Sequence, residues 1–378
     1  MEAIVRYPHL RLIDWPFQPA SPGFSRFMAD RNQLVTDIVT TLRHLSRRSP
    51  STIHLMWAWR GAGKSHSLMF MAHRCRNDFK DLLPVFTEFP EKVGGFRDLY
   101  RVFASQLDYE LVKECFLEVV TRPSKASAQK ELNIASPDVA NAMKILCMGM
   151  ERQQGTVIRW LRGEDVLLRE LREVGIGQRI ASADEAVKVL VWLIRLMGMS
   201  YSLSDSVSLG RILWIIDEFQ LIGDCREPVQ KEINRCLVRI WKSCPNSFSL
   251  FLSFTGRPEK TLPLWLSKDL ADIIGIEKVI VLPPLQDQEA ETFVQDLLEQ
   301  FRPNTSAVSP YFPFEEDAVK SLLAKIRKER GEIKPRSIMQ YFNAVLENAD
   351  LPIQEGTMKT ISADFALNCL KDRILTEV

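Results

Sequence analysis

A short glycine-containing loop between an apolar run and a helical run constrains this chain more than any other feature of its sequence. Residues 54–66 read HLMWAWRGAGKSH, with the apolar run Thr52–Trp57 leading into the loop and the run Ser67–His73 continuing after it. Strand, glycine turn and helix in this order let successive backbone N–H groups converge near a helix N-terminus, where the helix dipole adds positive potential. The order therefore predicts a loop that binds phosphate groups.

Each residue type in the loop has a role that its chemistry suits. The glycines let the backbone approach the α- and β-phosphates, Lys64 reaches the β- and γ-phosphates, and the Ser65 hydroxyl binds Mg²⁺. The pattern is the Walker A motif of P-loop NTPases, G-x-x-x-x-G-K-[ST], with Ala58 where the first glycine usually stands. A glycine turn that only links two elements is the alternative. We expect the side chains of Trp57, Trp59 and His66 to pack, and contact with adenine or a partner is the alternative for them. The nucleotide-binding candidates in the loop are Gly61, Ala62, Gly63, Lys64, Ser65 and His66.

A second apolar run ends in two adjacent carboxylates. Residues 211–220 read RILWIIDEFQ, in which Ile212–Ile216 are apolar and Asp217 and Glu218 follow. Continuous apolarity over five residues is typical of a strand buried on both faces of a parallel sheet. In this Walker B pattern we expect Asp217 to hold the Mg²⁺ shell and Glu218 to polarise the attacking water. A strand followed by an acidic helix cap is the alternative.

A third strand is predicted at 247–254, where the sequence is apolar through Phe254 and turns polar at Thr255. A polar side chain at such a strand end can hydrogen-bond the γ-phosphate or the catalytic water and so report the nucleotide state. Thr255 is our first choice for this catalytic sensor, followed by Ser253 and Arg257. An ordinary strand end before a Gly-Arg-Pro turn explains the segment equally well.

Taken in order, these motifs resemble the AAA+ superfamily. The order is Asp30-Arg31 before a helix, the phosphate loop, the carboxylate pair, the polar strand end, and a C-terminal helical segment at 332–346 with Lys-Pro-Arg336. The closest likeness is to initiator-type, Orc/Cdc6-like ATPases and their bacterial relatives. The resemblance implies ATP and Mg²⁺ as cofactors, Arg31 as a nucleotide contact, and Arg336 as a second sensor that reaches the γ-phosphate from a helical lid. A solvated helix arginine is the alternative for Arg336.

The resemblance also implies a fold: an α/β parallel sheet flanked by helices, with a helical insertion and a C-terminal helical lid. Alternating strand and helix patterns predict a parallel sheet independently of it. We assign 1–30 to an N-terminal extended arm, 31–99 and 206–300 to the nucleotide-binding core, 100–205 to the insertion and 301–378 to the lid. The insertion resembles the corresponding region of ATPases attached to bacterial phage-defence islands such as BREX.

Two features of the AAA+ family have no clear counterpart in the sequence. Where an arginine finger would be sought, residues 261–275 contain only Lys268 as a basic residue. Arg257, Arg235 and Arg239 are the available substitutes. The DNA-binding winged helix of the initiators is not evident, because the chain ends soon after the lid, so DNA binding does not follow from the resemblance.

Composition narrows the class of protein. With 49 Lys and Arg against 48 Asp and Glu, the formal net charge is +1, so the whole chain carries no electrostatic footprint for polyanions. Binding of double-stranded DNA would require a local basic patch, and the candidates 43–48 and 325–330 are more often solvated helix faces. Seven cysteines without a CxxC or a paired Cys/His spacing indicate neither zinc nor disulfides. Without a signal peptide or an apolar run of transmembrane length, we expect a cytoplasmic protein without a membrane partner.

Three functions fit this sequence. The first, which we expect, is an ATP-hydrolysing switch or motor subunit in a homo- or hetero-oligomer, within a DNA-associated or phage-defence complex. The second is a STAND-like signalling switch that binds ATP with little turnover and recruits an effector through 100–205. The third is a scaffold with a decayed site, to which Ala58 and the missing arginine finger point.

Overall fold

Five strands form one parallel sheet in the computed structural model, which describes residues 5–18, 26–46, 50–121, 136–200, 210–256, 262–275, 278–303 and 308–371. The strands are β1 (Ile53–Ala58), β2 (Leu82–Glu88), β3 (Arg211–Asp217), β4 (Phe248–Thr255) and β5 (Val279–Leu282). Their order in the sheet is β2-β3-β4-β1-β5. The predicted parallel sheet is confirmed.

Strand β2 contains a proline, Pro84, and still pairs with its neighbour. Its first part, Leu82–Pro84, pairs in parallel with Arg211–Leu213 of β3. A proline inside a strand argues against sheet pairing, since it cannot donate a ladder hydrogen bond. Because β2 is an edge strand, Pro84 needs a partner on only one side.

The described residues also form helices, some of which flank the sheet. They are α1 (Asn32–Ser46), α2 (Lys64–Asp78), α3 (Phe96–Ser105), α4 (Tyr109–Thr121), α5 (Pro137–Met148), α6 (Glu151–Leu161), α7 (Leu168–Glu173), α8 (Ala183–Ser200), α9 (Glu227–Ser243), α10 (Lys268–Ile274), α11 (Asp287–Gln300), α12 (Glu316–Arg330), α13 (Pro335–Gln354) and α14 (Ala363–Asn368). Helices α4–α8 lie within the predicted helical insertion 100–205, and α3 begins before it, at Phe96. None of the described helices is long and apolar enough to cross a membrane.

The chain divides into two compact units, each with its own hydrophobic core. The lid unit comprises residues 1–36, 58–70 and 282–378, and the sheet unit comprises residues 37–57 and 71–281. The domain boundaries predicted from the sequence differ from this division, because they assign the phosphate loop to the nucleotide-binding core, whereas residues 58–70 cluster with the arm and lid. The predicted boundaries are untested.

In the sheet unit, the helical insertion shares the core of the sheet. Every residue of β3 is buried. The Trp214 ring meets Phe103 edge-on, with centroids 4.8 Å apart, and Phe96 with centroids 6.5 Å apart. Its indole N–H donates to the Thr87 hydroxyl on β2 at 2.9 Å, which satisfies the one polar group of this buried side chain. The insertion is therefore packed onto the sheet through α3.

In the lid unit, residues 5–18 fold back onto the lid helices. Tyr7 and Leu12 form an isolated antiparallel bridge around a turn. Phe17 is fully buried, with its ring centroid 6.0 Å from that of Phe314 and 5.3 Å from that of Phe342. The segment contains no helix, as its prolines and aromatic residues predict, and it supplies part of the lid core.

Candidate functional site

The glycine loop takes a backbone conformation that requires glycine. Gly61 has φ 83° and Gly63 has φ 92°, both in the left-handed region that L side chains disfavour. The Ala62 N–H donates to the Trp59 carbonyl at 3.1 Å and closes a turn, and α2 begins at Lys64. A turn that leads directly into a helix N-terminus is the local geometry that phosphate binding needs.

The departure from the usual Walker A pattern at Ala58 has a simple reason. Ala58 is the last residue of β1 and is fully buried. A residue in extended strand conformation has no need of the positive φ that glycine permits, and the small Ala side chain fits a buried position. Alanine at this position therefore leaves the turn at Gly61–Gly63 intact.

Side chains in the first turn of α2 differ in their surroundings. Lys64 is buried, with 5% of its surface exposed, and Ser65 is half-buried. The His66 Nε2–H donates to the Phe27 carbonyl at 2.7 Å, which places the ring proton on Nε2, and burial lowers the pKa of His66. This contact favours a packing role for His66. Its contribution to nucleotide binding stays a prediction.

The first turn of α13 packs on the glycine loop within the lid unit. The Arg336 backbone N–H donates to the Gly61 carbonyl at 3.2 Å. A Cβ added at Gly61 would lie 3.1 Å from Arg336 Cβ. The Lys334 Nζ lies 5.3 Å from the centroid of the Trp59 ring, in a cation–π contact. Helix α13 begins at Pro335, inside the predicted helical segment 332–346, and the structure adds Trp59 and Lys334 to the residues that connect loop and helix.

Arg31 contacts the start of the segment that leads to α11. Its guanidinium donates to the Pro283 carbonyl at 3.1 Å. The preceding Asp30 has φ 38°, and its backbone N–H donates to Asp296 Oδ2 at 2.8 Å. Burial and the nearby Glu289 and Asp296 carboxylates raise the pKa of Asp30 to about 6. Asp30 and Arg31 therefore lie close to other carboxylates. The contact of Arg31 with the nucleotide stays a prediction.

In the sheet unit, Asp217 is a buried carboxylate at the end of β3. Its Oδ1 accepts hydrogen bonds from the Glu218 N–H at 2.8 Å and from the Ser253 hydroxyl. Its carbonyl accepts from the Phe89 N–H at 2.9 Å. Only 1% of Asp217 is exposed. Ser253, the second choice for a sensor, is thereby joined to Asp217 across neighbouring strands.

Glu218 has a strained backbone. Its φ of 55° and ψ of 33° lie in the left-handed region, which is uncommon for a residue with a side chain. The turn at Glu218 leads the chain from β3 into a short 3₁₀ helix at Phe219–Asp224. Strain of this kind persists where surrounding contacts impose it, and it is concentrated at functional sites.

Two side chains hold the Glu218 carboxylate. The Thr255 hydroxyl lies 3.2 Å from Oε1 and 3.3 Å from Oε2, and the Gln220 amide donates to Oε2. Gln220 also accepts a hydrogen bond from the Thr255 backbone N–H at 2.8 Å. The structure thus brings together Glu218 and Thr255, both predicted site residues. Gln220 was missed, although a polar amide two residues after the carboxylate pair is a signal that the sequence contains.

The oxygen donors present suit Mg²⁺. Among the described residues, no group of three or more His, Cys, Asp or Glu side chains could hold a metal ion by itself. Mg²⁺ in nucleotide sites needs few protein ligands, since phosphate and water oxygens complete its octahedral shell. The Asp217 carboxylate and the Ser65 hydroxyl are hard oxygen ligands of the kind this ion takes.

The three arginines considered as substitutes for an arginine finger lie in different surroundings. Arg257 lies outside the described residues. Arg239, on α9, forms an ion pair with Asp184 of the insertion. Arg235 lies on the same helix and is exposed. No role for any of the three follows from these positions.

The basic candidates for a DNA contact are partly engaged in ion pairs. In the cluster 325–330, Lys325 pairs with Glu329 at 2.6 Å and Arg327 pairs with Asp287 at 2.7 Å. These pairs favour a solvated helix face. The other cluster, 43–48, extends into residues 47–49, which lie outside the described part of the chain.

Comparison with known proteins gives a match in structure only. No family model matches the chain, and no curated protein does. The ORC1 protein of Aeropyrum pernix, solved in complex with DNA, superposes with a TM-score of 0.50 and 13% identity, over 94% of this chain and 68% of its own. The ORC2 protein of the same organism, solved as ADPNP and ADP complexes, superposes with a TM-score of 0.52 and 12% identity, over 96% of this chain and 72% of its own.

At this level of identity, the likeness concerns the fold alone. Both solved structures are AAA+ ATPases, and the superpositions span nearly the whole of this chain. The sheet, the flanking helices, the insertion and the C-terminal helices correspond to the fold class predicted from the motifs. This chain therefore has the fold of these two proteins.

Proposed function

We propose that this chain binds ATP with Mg²⁺ and hydrolyses the nucleotide. The single observation that carries the proposal is the setting of Glu218. It follows the buried Asp217 directly, it has a strained left-handed backbone, and its carboxylate accepts hydrogen bonds from Thr255 and Gln220. A carboxylate held in this way can orient and polarise an attacking water. The AAA+ fold supports the same reaction.

In this proposal each predicted residue acts on a defined part of the reaction. Lys64 and the backbone N–H groups of the glycine loop bind the phosphates, and Ser65 and Asp217 hold the Mg²⁺. When bound, Mg²⁺ neutralises charge on the β- and γ-phosphate oxygens. Glu218 polarises the water, and Thr255 reports the nucleotide state to β4 through its contact with Glu218.

Arg336 and Arg31 complete the proposed nucleotide contacts. Arg336 is exposed and lies in the first turn of α13, whose backbone contacts Gly61. A guanidinium at this position would contact the γ-phosphate. When hydrolysis removes the γ-phosphate, Arg336 would lose that contact and α13 would no longer be held by it. This coupling supports a switch or motor that converts nucleotide state into movement of the lid helices.

We place this activity in an oligomeric, DNA-associated or phage-defence complex. The support for DNA is that the structurally similar ORC1 protein was solved in complex with DNA. The net charge of +1 means that a DNA contact in this chain would depend on a local patch and would fall steeply with salt.

A signalling switch with little turnover is the second candidate. Met148 is the last residue of α5 and Met150 directly precedes α6, and 78% and 72% of their surfaces are exposed. Exposed methionines suit adaptable protein–protein contacts, because the thioether is flexible and polarisable. This observation favours recruitment of a protein partner by the insertion.

ATP hydrolysis by the purified chain tests these alternatives. It would be measured with and without double-stranded DNA at two salt concentrations, alongside ATP affinity. Turnover that DNA stimulates and salt weakens supports the DNA-associated ATPase. Tight ATP binding without turnover supports the signalling switch, and a chain that neither binds nor hydrolyses ATP refutes both.

A further inference from the structure

Gln220 connects the side chain of Glu218 to the end of β4. Its Nε2 donates to Glu218 Oε2, and its Oε1 accepts a hydrogen bond from the Thr255 backbone N–H at 2.8 Å. We propose that Gln220 is a positioning residue that orients the Glu218 carboxylate for its work on the attacking water. The proposal rests on the proposed ATPase function, since it assigns Gln220 to the same hydrolysis step.

The contact with Thr255 is not enough to orient the Glu218 carboxylate. Its hydroxyl carries a single hydrogen and lies almost equally far from the two oxygens, at 3.2 and 3.3 Å. A single donor shared between two oxygens does not by itself fix the plane of a carboxylate. The amide of Gln220 supplies a second donor from a different element, the 3₁₀ helix after β3. Two donors from two elements define the plane of the carboxylate.

The amide of Gln220 is itself oriented by the backbone. A peptide N–H can only donate, so the bond from the Thr255 N–H requires the amide oxygen of Gln220 to face β4. The NH₂ group of the same amide must then face the Glu218 carboxylate, which only accepts when it is ionised. The Thr255 N–H therefore fixes the orientation of the Gln220 amide, and this orientation directs the NH₂ group at Glu218.

The backbone at Glu218 makes this short-range contact available. Its left-handed conformation turns the chain after β3, and the side chain of the residue two positions later reaches back to Glu218. The local strain and the three-way contact among Glu218, Gln220 and Thr255 belong to one arrangement. A strained residue whose side chain is also oriented by two neighbours is the geometry expected of a preorganised catalytic group.

A structural role and a positioning role for Gln220 depend on different atoms of its amide. If Gln220 only supports the end of β4, the group that matters is its amide oxygen, which accepts from Thr255. A glutamate has the same shape and keeps an oxygen for that N–H. It cannot donate to Glu218, and it brings a second negative charge beside it. Gln220→Glu therefore separates the two roles, whereas Gln220→Ala removes both contacts.

Steady-state ATP hydrolysis of the full chain provides the test. We expect Gln220→Ala and Gln220→Glu each to lower kcat by about 10- to 100-fold, the loss typical when a group that orients a metal ligand is removed. The KM for ATP and the ATP affinity should not change, and Gln220→Glu should lose at least as much activity as Gln220→Ala. Gln288→Ala, at an exposed position on α11, is the matched control and should behave as the unmodified chain.

Two results would overturn the positioning role. The first is wild-type kcat in Gln220→Glu together with a loss in Gln220→Ala, which would assign Gln220 to support of β4. The second is unchanged or increased kcat in both variants. Denaturation midpoints near that of the unmodified chain would show that any loss is not caused by misfolding.

A crystallographic comparison separates failure of this proposal from failure of the ATPase function. If the unmodified chain does not hydrolyse ATP, the proposed function fails. The position of the Glu218 carboxylate can still be compared between crystal structures of the unmodified chain and of Gln220→Glu. In Gln220→Glu we expect Glu218 Oε2, the oxygen that Gln220 contacts, to move beyond about 3.5 Å from the Thr255 hydroxyl while Oε1 keeps its contact. A carboxylate that stays in place without the amide donor overturns the proposal, whatever the activity.

Discussion

The backbone N–H of Arg336 donates to the carbonyl of Gly61 at 3.2 Å. This bond satisfies one of the N–H groups that the first turn of a helix leaves without an intrahelical partner. The N-cap residue Lys334 makes no side-chain capping bond, so the loop carbonyl takes part of that role. A change in the glycine loop is therefore expected to be felt at the start of α13.

Substitution of Gly61 tests this contact. Alanine at a left-handed φ costs about 1–2 kcal/mol in any setting. At Gly61 the added Cβ would also press on Arg336 Cβ at 3.1 Å. We expect Gly61→Ala to lower both the free energy of unfolding and the ATP affinity.

Gly331→Ala is the matched control for Gly61→Ala. Gly331 has φ 74°, and a Cβ there would meet no atom within 4 Å. It shares the positive φ but not the contact, so Gly331→Ala should destabilise the chain less and leave its ATP affinity unchanged. Denaturation midpoints and calorimetric ATP titrations measure both effects. Equal losses in the two variants would argue against a specific coupling of loop and helix.

Lys64→Ala is expected to weaken ATP binding by about 100-fold. A buried lysine that donates to phosphate oxygens contributes a charge-assisted hydrogen bond of about 3 kcal/mol, or about 100-fold in affinity. Lys80→Ala, at an exposed position after α2, controls for the change of charge. Titration of each variant with a fluorescent ATP analogue gives the affinities. Unchanged affinity in Lys64→Ala would contradict its assignment to the phosphates.

Glu218→Gln is expected to leave ATP binding unchanged and to stop hydrolysis. Glutamine keeps the shape of the side chain but cannot act as a base, and loss of a positioned base costs about 100-fold or more in kcat. Glu173→Gln, at an exposed position of α7, is the charge control. The measurement is phosphate release at saturating ATP. Hydrolysis at the wild-type rate in Glu218→Gln would exclude Glu218 as the base.

The carboxyl of Asp30 makes the stability of the lid unit depend on pH. Burial, followed by the Glu289 and Asp296 carboxylates, raises the pKa of Asp30 from its ordinary value near 3.8 to about 6. The folded chain therefore holds a proton that the unfolded chain releases. The stabilising contribution is complete below pH 3.8 and is lost as the pH rises through about 6.

Asp30→Asn should remove this pH dependence. An asparagine amide is uncharged, and asparagine tolerates the left-handed backbone at this position, where φ is 38°. We expect the variant to raise the denaturation midpoint at pH 7 and to have little effect near pH 4. Asp364→Asn, at an exposed position on α14, should change neither. Parallel midpoint curves for Asp30→Asn and the unmodified chain between pH 4 and 7 would refute the assignment.

The features predicted from the sequence are those with a local cause. The positive φ of Gly61 and Gly63, the strand before them and the helix after them are properties of adjacent residues, so a motif predicts them. The same is true of β3, whose apolar run ends in Asp217 and Glu218, and of α13, which begins at Pro335. The sheet and its flanking helices followed from the alternation of these local patterns.

Only the tertiary structure decided which of these residues meet. Gln220 and Thr255 are 35 residues apart, and nothing in their local sequences predicts the bond between them. The contact of Arg336 with Gly61 and the burial of Phe17 against Phe314 also join distant parts of the chain. Local sequence sets backbone conformation and periodicity, because both depend on neighbouring residues. Packing and hydrogen bonds between distant residues depend on the whole fold, and these place the donors around Glu218.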